Sequence, residues 1–103
     1  MKKYRVRYLP DARRDIASIY DYIANELENP PAANRITRAI IERCERLDVF
    51  PNGYAIRFYS KRRAIRFAHY GKYTIAFYVD GSTATVDIYA VKYSRLDLTT
   101  AIR

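Results

Sequence analysis

The sequence is poor in the residues that carry most small-protein chemistry: one cysteine, one histidine, one methionine and no tryptophan in 103 residues. With Cys44 alone, an intramolecular disulfide and a cysteine-based zinc centre are both excluded. His69 has no second histidine and no acidic neighbour in sequence, so it reads as a rim residue and not as a general base. No apolar run approaches the ~20 residues that span a bilayer. The opening Met-Lys-Lys-Tyr-Arg-Val-Arg lacks the apolar stretch of a signal peptide. These absences predict a soluble, cytoplasmic protein with no membrane partner, no metal and no cofactor.

One further absence is local. Residues 49–79 contain Arg57, Lys61, Arg62, Arg63, Arg66 and Lys72 and not one acid, so six of the eight net positive charges fall in this stretch. Elsewhere the two signs nearly balance. Such a segment attracts a phosphate backbone or an acidic protein, and its association weakens with salt. The plainer explanation is a solvated face.

What is present is enough for one core. Half of the residues are hydrophobic, which argues against disorder, and the length suits a single domain over residues 1–103. Eleven tyrosines fit either a binding surface or ordinary strands.

Residues 3–9 alternate, with Tyr4, Val6 and Tyr8 opposing Arg5, Arg7 and Leu9, which predicts a half-buried strand. Pro10 ends it and opens a helix whose stripe is Ala12, Ile16, Ile19, Tyr20, Ile23 and Leu27. Asp11 and Asp15 near its start suit the helix dipole. Asn29-Pro30-Pro31 ends this helix and caps a second, striped by Ala33, Ile36, Ile40, Cys44 and Leu47. So short a link makes the pair an antiparallel hairpin, with Cys44 as a small core residue.

After the turn cluster 50–53, Ile56 to Phe67 is either one long bent strand or a short strand and loop around Lys61-Arg62-Arg63. Strands 73–79 and 84–93 follow, joined by Asp80-Gly81-Ser82, and 96–103 is a short tail. The fold class is α+β, in the order β-α-α-β-β-β: an antiparallel sheet with the helical hairpin packed on one face. Val6, Ile75, Phe77, Val86 and Ile88 are expected beneath the helices. The opposite face should carry Arg5, Arg7, Arg66, Thr74, Ala76, Tyr78, Asp87 and Tyr89, half open to solvent.

The ordered set Tyr8-Leu9-Pro10, Ala12, Asp15-Ile16, Tyr22-Ile23, Asn29-Pro30, Phe50-Pro51, Gly53, Arg66, Tyr73-Thr74-Ile75-Ala76-Phe77 and Val91-Lys92-Tyr93-Ser94-Arg95-Leu96-Asp97 resembles the RelE/ParE superfamily of toxin–antitoxin and plasmid stabilisation systems. The resemblance implies a toxin neutralised by a cognate antitoxin, with the complex reaching operator DNA through the antitoxin. It also implies one of two targets. The RelE-like branch comprises ribosome-dependent mRNA endonucleases; the ParE-like branch poisons DNA gyrase. RNA cleavage needs a group to accept the 2′-hydroxyl proton, cations for the phosphorane and an acid for the leaving oxygen.

In the nuclease branch an arginine follows the tyrosine of the Tyr-x-Ile-x-Tyr strand; here that position is Thr74. The arginine or histidine ending its last strand is also missing near Lys92–Ser94. Were the chain a nuclease, Arg57, Lys61, Arg63, Arg66, Lys92 and Tyr93 would be its catalytic candidates. The incomplete set favours the ParE-like branch, with Lys61, Arg62, Arg63, Arg66, Tyr78, Tyr89 and Arg95 as candidates for binding target or antitoxin. A third reading is an inactive relative serving as a binding module. Arg66 is expected on the face away from the helices, in a structural or partner role.

Overall fold

The computed structural model describes residues 3–94. Strand β1 (Arg5–Tyr8) leads into helix α1 (Pro10–Asp21), which continues as a π-helical turn over Tyr22–Glu26. Helix α2 (Pro30–Glu45) follows. Four strands complete the chain: β2 (Ile56–Ser60), β3 (Arg63–Tyr70), β4 (Tyr73–Asp80) and β5 (Thr85–Tyr93). No described helix is long and apolar enough to cross a membrane.

The helix boundaries follow the local chemistry. Pro10 opens α1, and the Asn29 side chain accepts a hydrogen bond from the Ala32 N–H at 3.2 Å, with two prolines occupying the first turn of α2. The π-helical turn departs from the expected stripe. Its wider winding, closed by the Leu27 N–H on the Tyr22 carbonyl, rotates Leu27 outward, leaving it 56% exposed.

The sheet order is β1-β5-β4-β3-β2, so the helical hairpin carries the chain from one edge of the sheet to the other. Neighbours from β2 to β5 are antiparallel, but β1 runs parallel to β5, and the sheet is mixed where a wholly antiparallel one was expected. The cause is the count of reversals. Each helix and each hairpin reverses the chain once; if residues 56–67 formed a single strand, β1 and β5 would be antiparallel. Lys61 and Arg62 form a two-residue turn that splits this stretch into β2 and β3. The added reversal makes the two strands parallel.

Beneath the helices lies the main core. Ile40 and Cys44 of α2 and the following Leu47 meet Ile75, Phe77, Val86, Ile88 and Val91 of the sheet, with Val6 packed at the margin. Tyr54 closes this core edge-to-face on Phe77, ring centroids 5.5 Å apart. Arg43 of α2 donates to the Tyr54 hydroxyl at 2.8 Å and to the His69 carbonyl at 3.2 Å. Tyr8 donates its hydroxyl to the Glu45 carboxylate, tying β1 to the end of α2. Burial and that hydrogen bond push its ionisation well above the usual tyrosine range.

Candidate binding surface

The face of the sheet away from the helices was expected to be half open. Its centre is closed instead. Ile65, Phe67, Ala76, Tyr78 and Ala90 form a second, smaller cluster, with Leu9, Phe58 and Tyr89 packed against it. Thr74 and Ala76 are fully buried, and Tyr78 and Asp87 nearly so.

Two β-bulges build this surface. On β2, Ile56 pairs with Arg66 and Phe58 with Ile65, leaving Arg57 as the extra residue. On β5, Ala90 pairs with Ala76 and Ile88 with Phe77, leaving Tyr89 as the extra one. A bulge re-aims side chains that strict alternation would send to the other face. Arg57 therefore lies over the Phe67 ring at 4.7 Å, and Tyr89 meets Tyr78 with centroids 6.4 Å apart. Arg63 stacks on Tyr78 at 4.3 Å. Phe58 meets Phe67 edge-to-face at 6.0 Å. A guanidinium held over a ring gains a cation–π attraction and keeps its charge at the boundary with water, available to an anion.

At one side of this floor Arg7 holds the buried Asp87 with two bonds, Nε to Oδ1 at 2.8 Å and a terminal nitrogen to Oδ2 at 3.0 Å. This bidentate pair neutralises the only buried carboxylate among the described residues of that face. Tyr78 beside it has its ionisation raised, first by burial and then by the negative charge of Asp87.

The basic run at 61–63 divides in two. Arg63 opens β3, whereas Lys61 and Arg62 form the turn, both in the left-handed region with φ of 50° and 67°. A two-residue turn of this kind favours Asn-Gly. A side chain with a Cβ there costs roughly 1 kcal/mol or more per residue. The neighbouring β3–β4 turn meets its positive φ with Gly71.

Other candidates are engaged elsewhere. Arg66 lies on the helix side of the sheet, opposite Phe77, and not on the outer face where it was expected. It donates to the backbone carbonyls of Asn52 and Tyr54, fastening the 3-10 turn Pro51–Gly53 to β3. Its strand is apolar on both faces, so alternation alone did not reveal which way it points. Lys92 is paired with Asp15 at 3.0 Å, and the other oxygen of Asp15 accepts the Val91 N–H. Asp15 thus covers the edge of β5 beyond the end of β1, a tertiary role beyond the dipole effect expected of it. Tyr93 packs on Tyr73, centroids 5.6 Å apart. Thr74 bonds the Ser94 hydroxyl at 3.0 Å. Arg95 and the tail lie outside the described residues. Among the described residues no three His, Cys, Asp or Glu side chains come together.

An apolar groove along the helices was expected, but not its place: it holds about 690 Å³ on the helix side, between Ile19, Tyr22 and Ile23 of the first helical segment, Ile36 of α2, and Tyr73 and Tyr93 of the sheet. It is mainly apolar, with Asp15 and Lys92 at its wall. Tyr22 and Leu27, turned out by the π-helical segment, stand exposed at its margin. The Pro-Pro break was the available signal that the first helix ends irregularly.

Comparison with known proteins places these features. Residues 6–98 match a family model described as the ParE toxin of the type II toxin–antitoxin system parDE. Two solved structures are similar over nearly the whole chain. One is the toxin–antitoxin complex RelBE2 from Mycobacterium tuberculosis: 26% identity, 90% of this chain and 93% of that chain covered, TM-score 0.67. The other is the chromosomal ParDE system from P. aeruginosa: 22% identity, 88% and 96% covered, TM-score 0.71. No match was found among curated proteins.

Proposed function

The chain belongs to the ParE family of toxins of type II toxin–antitoxin systems, and on that premise we propose that it acts in the cytoplasm as an inhibitor of DNA gyrase and does not cut RNA. The observation that carries this choice is Thr74. The strand position that holds an arginine in the nuclease branch is here a fully buried threonine bonded to Ser94. A neutral, enclosed hydroxyl cannot neutralise a phosphorane. Three of the other candidates support the same reading: Lys92 is held by Asp15, Tyr93 packs on Tyr73 and Arg66 secures backbone. Arg57, Lys61 and Arg63 supply cations on the outer face under either reading.

The target then meets the outer face, through Lys61, Arg62 and Arg63 with Tyr89; Tyr78, expected among the contacts, is nearly enclosed and serves as the floor under Arg63. Arg66 leaves that group because of its position on the helix side. The cognate antitoxin covers the apolar groove with an amphipathic segment that orders on binding. Any contact with operator DNA by the pair runs through the antitoxin.

The test is induction of the chain without antitoxin, followed by examination of DNA breaks and mRNA ends in one culture. The expected result is growth arrest with an SOS response and gyrase-linked breaks. Codon-dependent cuts made by the purified chain on message-loaded ribosomes would overturn the proposal.

A further inference from the structure

We propose that the β2–β3 hairpin is a DNA-contacting ribbon, its basic tip and stacked arginines taking phosphates of duplex DNA without regard to base sequence. The inference deepens the gyrase reading, whose target is a protein bound to DNA, and rests on that reading for its cellular setting.

The first observation is the tip itself. Lys61 and Arg62 hold left-handed conformations at two adjacent positions where asparagine and glycine are favoured. Strain retained at a surface turn points to a use for the side chains, and what these two supply is positive charge at the outermost point of a hairpin.

The second observation continues the charge along one side of the ribbon. Arg57, re-aimed by its bulge, and Arg63 lie on the outer face over Phe67 and Tyr78. Among the described residues, none of Arg57, Lys61, Arg62 and Arg63 has an ion-pair partner. The acid-free stretch 49–79 contributes no carboxylate of its own to compete. Four cations are thus presented by the hairpin, two at its turn and two on its strands, the latter pair held over aromatic rings.

Shape selects the polyanion. The strands of a ribbon lie about 4.8 Å apart, and β2 is the outer edge of the sheet, paired only to β3. β3 pairs with β4 only from Arg66 to Tyr70, so the end of the hairpin from Phe58 to Ile65 is two-stranded, and the B-form major groove, about 12 Å wide, admits such a ribbon. The major groove of A-form RNA is deep and narrow and does not. Arginine and lysine are also the side chains that carry phosphate contacts.

The experiment uses the full chain and a labelled, mixed-sequence DNA duplex, with binding followed by fluorescence anisotropy between about 50 and 200 mM salt. Four phosphate contacts predict a slope of about −3 to −4 in log K against log salt. The informative variant is Lys61→Asn with Arg62→Gly. It places the favoured pair in the turn, so the fold is expected to be at least as stable, yet it removes both tip charges. Its affinity should fall at least about tenfold and its slope shrink by about 2.

An unchanged affinity in this variant overturns the proposal. So does equal or tighter binding to an RNA duplex of the same length, or to an acidic peptide in place of DNA. If the chain binds DNA as described but cells show no gyrase-linked breaks, the ribbon stands and the gyrase reading falls. Breaks without any DNA binding overturn the ribbon alone.

Discussion

The two faces of the sheet are made by the same strands but close in different ways. On the helix side, aliphatic residues from α2 and the strands interlock, and Ile40, Cys44, Leu47, Ile75, Phe77, Val86 and Ile88 are fully enclosed. On the outer side, apolar burial stops at one layer of side chains, and arginines lie on top of the rings. The first arrangement is apolar at its centre, with its tyrosine hydroxyls bonded at the margin, and gains by excluding water. The second keeps cations at the boundary with water, where they both cover apolar surface and remain able to bind an anion. A small sheet can therefore hold its fold with one face and present charge with the other.

Three measurements test that contrast. Phe77→Ala on the helix side should cost about 3–5 kcal/mol, read as a lower urea midpoint, because Tyr54 and the sheet around it cannot collapse into the space. A loss below 1 kcal/mol would show that this face is not the stabilising one.

The second concerns pH. Burial pushes the Cys44 thiol up to about 12, with the charge of Glu45 adding to the effect. The unfolded chain releases that proton near 9.0, so the contribution of the buried thiol is complete below pH 9 and is lost as pH rises toward 12. Stability should fall by about 1.4 kcal/mol per pH unit in that window from this group. The tyrosines with raised ionisation, Tyr8, Tyr73 and Tyr78, act in the same direction from their ordinary value of 10.0 upward, within the same window. Denaturation curves of the chain and of Cys44→Ala across the window isolate the thiol; parallel curves would remove it as the cause.

The smallest effect is expected outside. Arg63→Ala removes one guanidinium from the Tyr78 ring and should cost about 0.5–1 kcal/mol. A loss as large as that of Phe77→Ala would erase the distinction between the faces.

Much of the helix side was legible from residue order. Caps and stripes are local, so Asn29-Pro30-Pro31 and the run from Ala33 to Leu47 announced α2, and Ile75, Phe77, Val86 and Ile88 were placed correctly beneath it. The family was legible too, through the order of its motifs. The outer face was less so. Thr74, Ala76, Tyr78 and Asp87 were assigned to that face, but their burial depends on what packs over them. Tyr89 was placed on the outer face correctly, whereas the place of Arg57 depends on a bulge that alternation does not announce.

From its residues alone, this chain determined two amphipathic helices, one opened by a proline and one capped by Asn29, a set of alternating strands, and a stretch whose positive charge no neighbouring acid offsets. These follow from forces acting within a few positions: capping, side-chain periodicity and turn preference. Tertiary structure alone decided that β1 runs parallel to β5, that Arg66 faces the helices and Arg57 faces away, and that Asp15 belongs to β5 as well as to α1. The physical reason is that direction and phase accumulate along a sheet: each added reversal inverts a strand, and each bulged residue exchanges its faces.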